Sequence, residues 1–223
     1  MIFILNETQL REIFKPSFQF RDLDGKSDDE LYRYCTENLG SPIGKGSSRA
    51  CFEYDNEIVI KIALNEDGYR QNKTEIDYYL SHAKSPIIPK IYHYDKSKFQ
   101  WIIVQKVTNF NSEEECEEAV REILGVTYEE YSEDGVSLVD ICDIMELIYN
   151  HNEDYADEED VIFVKNLMKY RWFKALYQYI CDNHGFIDIS YGNIGVAETD
   201  NGKEIVLLDT GMDNNLYNDY NEY

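Results

Sequence analysis

The sequence predicts an α+β protein in two lobes, a small antiparallel-sheet lobe followed by a mainly helical one. Three observations support this. Aromatic and β-branched runs crowd residues 50–107, where short strands are expected. Beyond Thr108 the apolar residues recur at helical spacing. With 43% hydrophobic and 14% aromatic content, 223 residues can bury a substantial core as one domain or as two small lobes.

The elements follow in order. Residues 1–38 are read as an N-terminal extension. Within it Ser27-Asp28-Asp29-Glu30 has the form of a capping box, in which hydroxyl and carboxylate satisfy exposed amides. It starts a helix that runs to about Asn38 and stops at Gly40. The sheet lobe spans 39–107. Its strands at 50–54 and 57–63 flank Asp55-Asn56 as a tight hairpin. A helix over 69–83 carries Ile76, Tyr79, Leu80 and Ala83 on one stripe, and Pro86 and Pro89 end it. Strands at 90–94 and 99–107 complete this lobe. The helical lobe spans 108–223. Ser112-Glu113-Glu114-Glu115 is a second capping box, and helices are expected at 113–124 and 138–150. The longest helix is expected at 161–183, with Val164, Leu167, Met168, Phe173, Leu176 and Ile180 on its apolar face. Strands at 194–196 and 204–208 bracket Asn201-Gly202, a two-residue hairpin signal, and the last dozen residues read as a loose tail.

Charge and cysteine usage narrow the class. The formal charge is -23, and it is unevenly spread: residues 112–160 hold 19 acids against the single base Arg121. Such a surface repels nucleic acid, so direct nucleic-acid binding is not expected. A local acidic block reads either as a solubilising insertion or as a face turned toward a cationic partner, so residues 112–160 are a candidate protein-binding surface. Helix-dipole capping explains Glu113, Glu114 and Glu115 but not Glu117, Glu118 and Glu122. The same-sign pairs that these last three form at helical spacing each disfavour the helix by about 0.2 to 0.5 kcal/mol. Five scattered cysteines without a CxxC pair argue for a reducing compartment, and no apolar run reaches the roughly 18 residues that span a bilayer. A cytoplasmic protein with no membrane association is expected.

Five short segments carry the chemistry. They are the glycine turn Ile43-Gly44-Lys45-Gly46-Ser47-Ser48, the strand lysine Lys61, the helical Glu75, the run Asp188-Ile189-Ser190-Tyr191-Gly192-Asn193, and Leu207-Leu208-Asp209-Thr210-Gly211. Transfer of a γ-phosphoryl group needs a backbone cradle, a cation on the inner phosphates, metal ligands and a group that orients the nucleophile. This order can supply each part. Gly44 and Gly46 let backbone approach phosphates closely. Lys61 lies on an apolar strand, where an ammonium needs an anionic partner, and Glu75 on the following helix is the candidate. Alone, the glycine turn, Asp188 with Asn193, and Asp209-Thr210-Gly211 each also suit an ordinary turn or cap, and Lys61 also suits a lysine that snorkels from a strand edge. Two other motifs fail: Gly40 to Lys45 is one residue short of a Walker loop, and His82, His93, His151 and His184 have neither metal nor triad spacing.

Over residues 39–211 the chain resembles the protein-kinase-like superfamily. The resemblance implies a bilobal fold with a truncated C-lobe, and ATP and Mg²⁺ as cofactors. The family's glycine loop matches Gly44 and Gly46, with Arg49 in place of the third glycine. Its lysine and glutamate match Lys61 and Glu75, and the connector beneath the adenine matches Gln105-Lys106-Val107. The catalytic loop matches Asp188 and Asn193, implying Asp188 as nucleophile-orienting base and Asn193 as magnesium ligand. The metal-binding Asp-Phe-Gly matches Asp209-Thr210-Gly211. Tyr191-Gly192-Asn193 is more similar to aminoglycoside and choline phosphotransferases than to eukaryotic protein kinases.

Two functions are weighed. The first is an ATP- and Mg²⁺-dependent kinase acting on a basic protein or a polycationic small molecule. The second is a non-catalytic, pseudokinase-like binding protein whose acidic face blocks or mimics DNA at a partner's cationic site.

Overall fold

The protein was analysed as a computed structural model, which describes residues 18–126, 137–183, 189–199, 202–208 and 210. The expected terminal tail, Asp188, Asp209 and Gly211 lie outside this set. The fold is α+β, an antiparallel sheet followed by a mainly helical part. The described chain forms two compact units: residues up to Asn72 with His93–Val104, and Lys73–Tyr92 with the residues from Gln105 onward.

In the first unit, helix α1 (Asp28–Leu39) begins at a complete Ser27/Glu30 capping box and ends at Gly40, whose φ of 97° only glycine adopts without strain. Strands β1 (Gly44–Lys45), β2 (Arg49–Glu53) and β3 (Ile58–Ala63) follow. The β2–β3 turn is held by Asp55, whose Oδ1 accepts from Glu57 N and Ile58 N at 2.8 Å each. Asn65 then caps helix α2 (Glu66–Ser81), its Oδ1 accepting from Gly68 N. With β4 (Ile91–Tyr94) and β5 (Trp101–Gln105) the sheet order is β1-β2-β3-β5-β4.

Alternation along the strands gives the sheet two faces. Ala50, Phe52, Ile60, Ile62, Trp101 and Ile103 bury one face against Leu23, Leu31 and Cys35. Helix α1 therefore belongs to this core. Asp28 fastens its first turn, accepting from Gln100 Nε2 at 2.8 Å and from the Tyr69 hydroxyl.

The second unit pairs a small sheet with helices. Strand β6 (Thr108–Asn109) is followed by helices α3 (Glu113–Leu124), α4 (Leu138–Tyr149), α5 (Glu158–Leu167) and α6 (Arg171–Asp182), then strands β7 (Ile194–Thr199) and β8 (Gly202–Leu207). The sheet order is β6-β7-β8. The β7–β8 ladder closes at Thr199 with Gly202, so Gly202 is already paired and the two turn residues lie outside the described set. Met145, Val164, Phe173, Leu176, Ile180 and Ile205 lie in the core. Trp172 Nε1 donates to Ile205 O at 2.7 Å, satisfying a buried indole and tying α6 to β8.

The single long helix expected at 161–183 is two helices, α5 and α6, and the longest described helix is α2 with 16 residues. Met168, Lys169 and Tyr170 close α5 with tight bonds, including Tyr170 N to Leu167 O at 2.9 Å, and Tyr170 turns extended at ψ 136°. The physical reason lies in the stripes. At 100° per residue, the face of Val161, Val164 and Leu167 would stand about a third of a turn from that of Trp172, Phe173, Leu176 and Ile180 in one straight helix. Breaking the helix lets both stripes enter one core. No described helix is long and apolar enough to cross a membrane.

Candidate active site

The strand register places the glycine turn and the lysine together. Gly44 pairs with Cys51, and Cys51 pairs with Lys61, so the three stand in one row across β1, β2 and β3. Their face is the one turned away from α1, because Ala50, Phe52, Ile60 and Ile62 occupy the other. By the same alternation Ile102 and Val104, both buried, lie on the Lys61 side. Gly46 N donates to Arg49 O at 2.9 Å and closes the turn.

The turn glycines are not required by the fold itself. Neither has a positive φ. A Cβ on Gly44 would meet only Cys51 Cβ, at 3.9 Å, and one on Gly46 would meet nothing within 4 Å.

Two side chains that follow the turn clip it to α2. Ser48 Oγ donates to Gln71 Oε1 at 2.7 Å, and Arg49 Nη1 reaches Asn72 Oδ1 at 3.5 Å. Asn72 is fully buried, and its Nδ2 donates to Phe99 O at 2.8 Å, holding a residue with φ 59°. Gly68 permits this approach, since a Cβ there would lie 2.2 Å from Ser48 O. Arg49, at the third glycine's place, is thus directed toward the helix. On α2 the residues Gln71, Asn72, Glu75 and Ile76 form one buried stripe, with Glu75 only 3% exposed.

In the second unit the hairpin gathers the other matched segments. Ile194 pairs with Leu207, and Leu208 N donates to Asn193 O at 2.8 Å. Asn193 therefore stands beside Leu208, the residue before Asp209. Thr210 is 2% exposed and its hydroxyl has no hydrogen-bond partner. Gln105 is engaged on three sides: its N donates to Lys90 O, its Oε1 accepts from Lys90 N, and its Nε2 donates to Glu198 O at 2.6 Å. Val107 packs on Gly195, where an added Cβ would lie 2.5 Å from Val107 Cγ1. The structure thus brings Gly44 to Lys61 and Asn193 to Leu208.

The acidic block is partly structural. Glu115 accepts from Asn111 N and Nδ2, which holds its carboxyl below the usual range. Glu117, which capping within its own helix left unexplained, accepts from Leu138 N at 2.6 Å and so caps α4. Glu113, Glu114, Glu118 and Glu122 remain exposed. Burial, then Asp140, raises Asp143, and burial, then Asp143, raises Glu146. Among the described residues no cysteine forms a disulfide; burial pushes the Cys35 and Cys116 thiols up to about 12 and raises Cys142 as well. Sequence reading gave no role to His82, which stacks on Tyr78 and reaches Asp182 Oδ2 at 3.3 Å. Its partner lies 100 residues away, so spacing alone carried no signal.

No protein-family model matches the sequence, and no curated protein matches it. Among solved structures the chain is similar to aminoglycoside phosphotransferases. The ternary complex of streptomycin, ATP and APH(2'')-IIa is 14% identical, matching 83% of this chain and 71% of that one at a TM-score of 0.36. The ADP-bound aminoglycoside phosphotransferase APH(2'')-Ib is 12% identical over 83% and 71%, again at 0.36. The apo form of a thermostable mutant of APH(4)-Ia is 15% identical over 81% and 71%, at 0.33.

Proposed function

We propose that the chain is an ATP- and Mg²⁺-dependent phosphotransferase acting on a basic acceptor, either a lysine-rich protein or a polycationic small molecule. One observation carries this reading. Two glycines that the fold does not require stand on the strand and turn beside a row that ends in Lys61, which leaves open backbone facing a lysine on the third strand.

In this reading bound Mg-ATP supplies the phosphoryl group. Gly44 and Gly46 offer backbone to the phosphates, and Lys61 neutralises their inner charge. Glu75 is the carboxylate this reading assigns to Lys61, since a carboxylate only 3% exposed needs a cation or several donors. Gln105 and Val107 line the connector under the base. Asn193 and Asp209 would hold the metal, which would offset phosphate charge, and Asp188 would orient the acceptor hydroxyl. The exposed Glu113, Glu114, Glu118 and Glu122 of α3 supply charge complementary to a cationic acceptor.

The test is transfer from γ-labelled ATP to a serine-containing polylysine peptide and to an aminoglycoside. Transfer is expected, with losses of at least about 100-fold in Lys61→Ala and Asp188→Ala. Absence of transfer, together with absence of thermal stabilisation by Mg-ATP, overturns it. The same exposed acids favour a second reading, a non-catalytic protein that occupies a partner's cationic site. Tight binding of polylysine without turnover would identify that case.

A further inference from the structure

The turn joining β4 to β5 forms one wall of a cavity of about 450 Å³, a size typical of small-ligand sites. Lys26, Lys96 and Lys98 line it, in a chain whose formal charge is -23. Among the described residues neither Lys96 nor Lys98 makes an ion pair, and Lys26 Nζ sits 4.8 Å above the Tyr34 ring. Of the two carboxylates in the wall, Asp95 is already spent. Its oxygens accept from Ser97 N, Ser97 Oγ, Lys98 N and Gln100 N at 2.7 to 3.2 Å. Those bonds also fix the turn, so Lys96 and Lys98 stand on a held backbone. Trp101 belongs to the same wall, and its buried indole N–H has no acceptor.

We infer that this cavity binds a small anion of the phosphate class, a phosphate ester or polyphosphate with at least two negative charges. All three cations are lysines and none is an arginine. Compact ammonium groups meet a tetrahedral phosphoryl group as point charges, and three of them in one wall suit an anion that carries more than one negative charge. The site is separate from the proposed nucleotide face, because Trp101 packs on the α1 side of the sheet and Lys61 stands on the other.

Calorimetric titration of the full chain with inorganic pyrophosphate, without magnesium or nucleotide, tests this. Saturable binding is expected in a Lys61→Ala background, which removes the cation of the proposed nucleotide face; it is weakened at least about tenfold when Lys96→Ala/Lys98→Ala is added and unchanged within about twofold when Lys203→Ala is added instead. Lys96 and Lys98 are exposed, so folding is not at stake. Citrate at equal ionic strength should fail to displace pyrophosphate. The inference is overturned by absent saturation in that background, by binding that survives the added double substitution, by an equal loss with Lys203→Ala, or by citrate binding more tightly. Failure of phosphoryl transfer leaves this result untouched, since no acceptor or ATP enters the titration.

Discussion

Replacing Asp95 with alanine removes the acceptor for four donors in one turn. The Gln100 N–H is buried, and stranding it costs about 1–3 kcal/mol, while Ser97 and Lys98 are exposed and water replaces most of what they lose. A net loss of about 3 kcal/mol is expected. The turn also carries Phe99 at φ 59°, whose carbonyl accepts from Asn72, so disorder there loosens the α2 clip. The pH dependence is specific. Burial pushes the Asp95 carboxyl up, but the Ser97 side chain and the N–H groups of Ser97, Gln100 and Lys98 more than offset this, and the carboxyl ends below its ordinary value. A depressed carboxylate contributes stability that is present above its unfolded value, about 3.9, and lost as pH falls through the folded one. Urea unfolding followed by tryptophan fluorescence should therefore show the full gap between wild type and Asp95→Ala at pH 7 and pH 5, shrinking below about pH 4. A gap under about 1 kcal/mol at pH 7, or one that stays constant into acid, would refute the reasoning.

Gly68→Ala pits helix propensity, worth about 1 kcal/mol in favour, against a Cβ 2.2 Å from Ser48 O and 2.9 Å from Ala63 Cβ. The clash should win, with a net loss of about 2 kcal/mol by denaturant melt. Glu117→Ala removes the acceptor for Leu138 N and should cost about 1 kcal/mol, whereas Glu118→Ala should stay within about 0.5 kcal/mol of wild type. Asp143→Asn relieves a carboxyl raised by burial and by Asp140. A raised carboxyl destabilises the fold at neutral pH, and that penalty fades as pH falls through the folded value. The variant should therefore melt slightly higher at pH 7, by less than about 0.5 kcal/mol, and equal wild type near pH 4.

Local chemistry was legible from sequence wherever both partners sit within a few residues. The Ser27/Glu30 box, the Asp55 turn and the Ser112 helix start are of this kind. Partners brought together by folding were not. Glu117 serves a helix 21 residues on, and Gln105 reaches Glu198 across 93. The break at Met168 to Tyr170 was hidden because neither glycine nor proline marks it and both halves are apolar. The order of glycines and lysine was readable, but the common row of Gly44 and Lys61 depends on strand register, which pairing decides. Arg49 read as an ambiguous intruder in the glycine loop, and only its contact with Asn72 gives it a direction.

Neither compact unit is one unbroken stretch of polypeptide, because the chain leaves the first after Asn72, returns at His93 and departs again after Val104. A fragment truncated at Asn72 would lack Trp101 and Ile103 and lay bare the flanks of Phe52, Ile60 and Ile62, inviting aggregation. Excising the first unit for separate expression thus demands a bypass linker in place of residues 73–92, together with a new terminus after Val104.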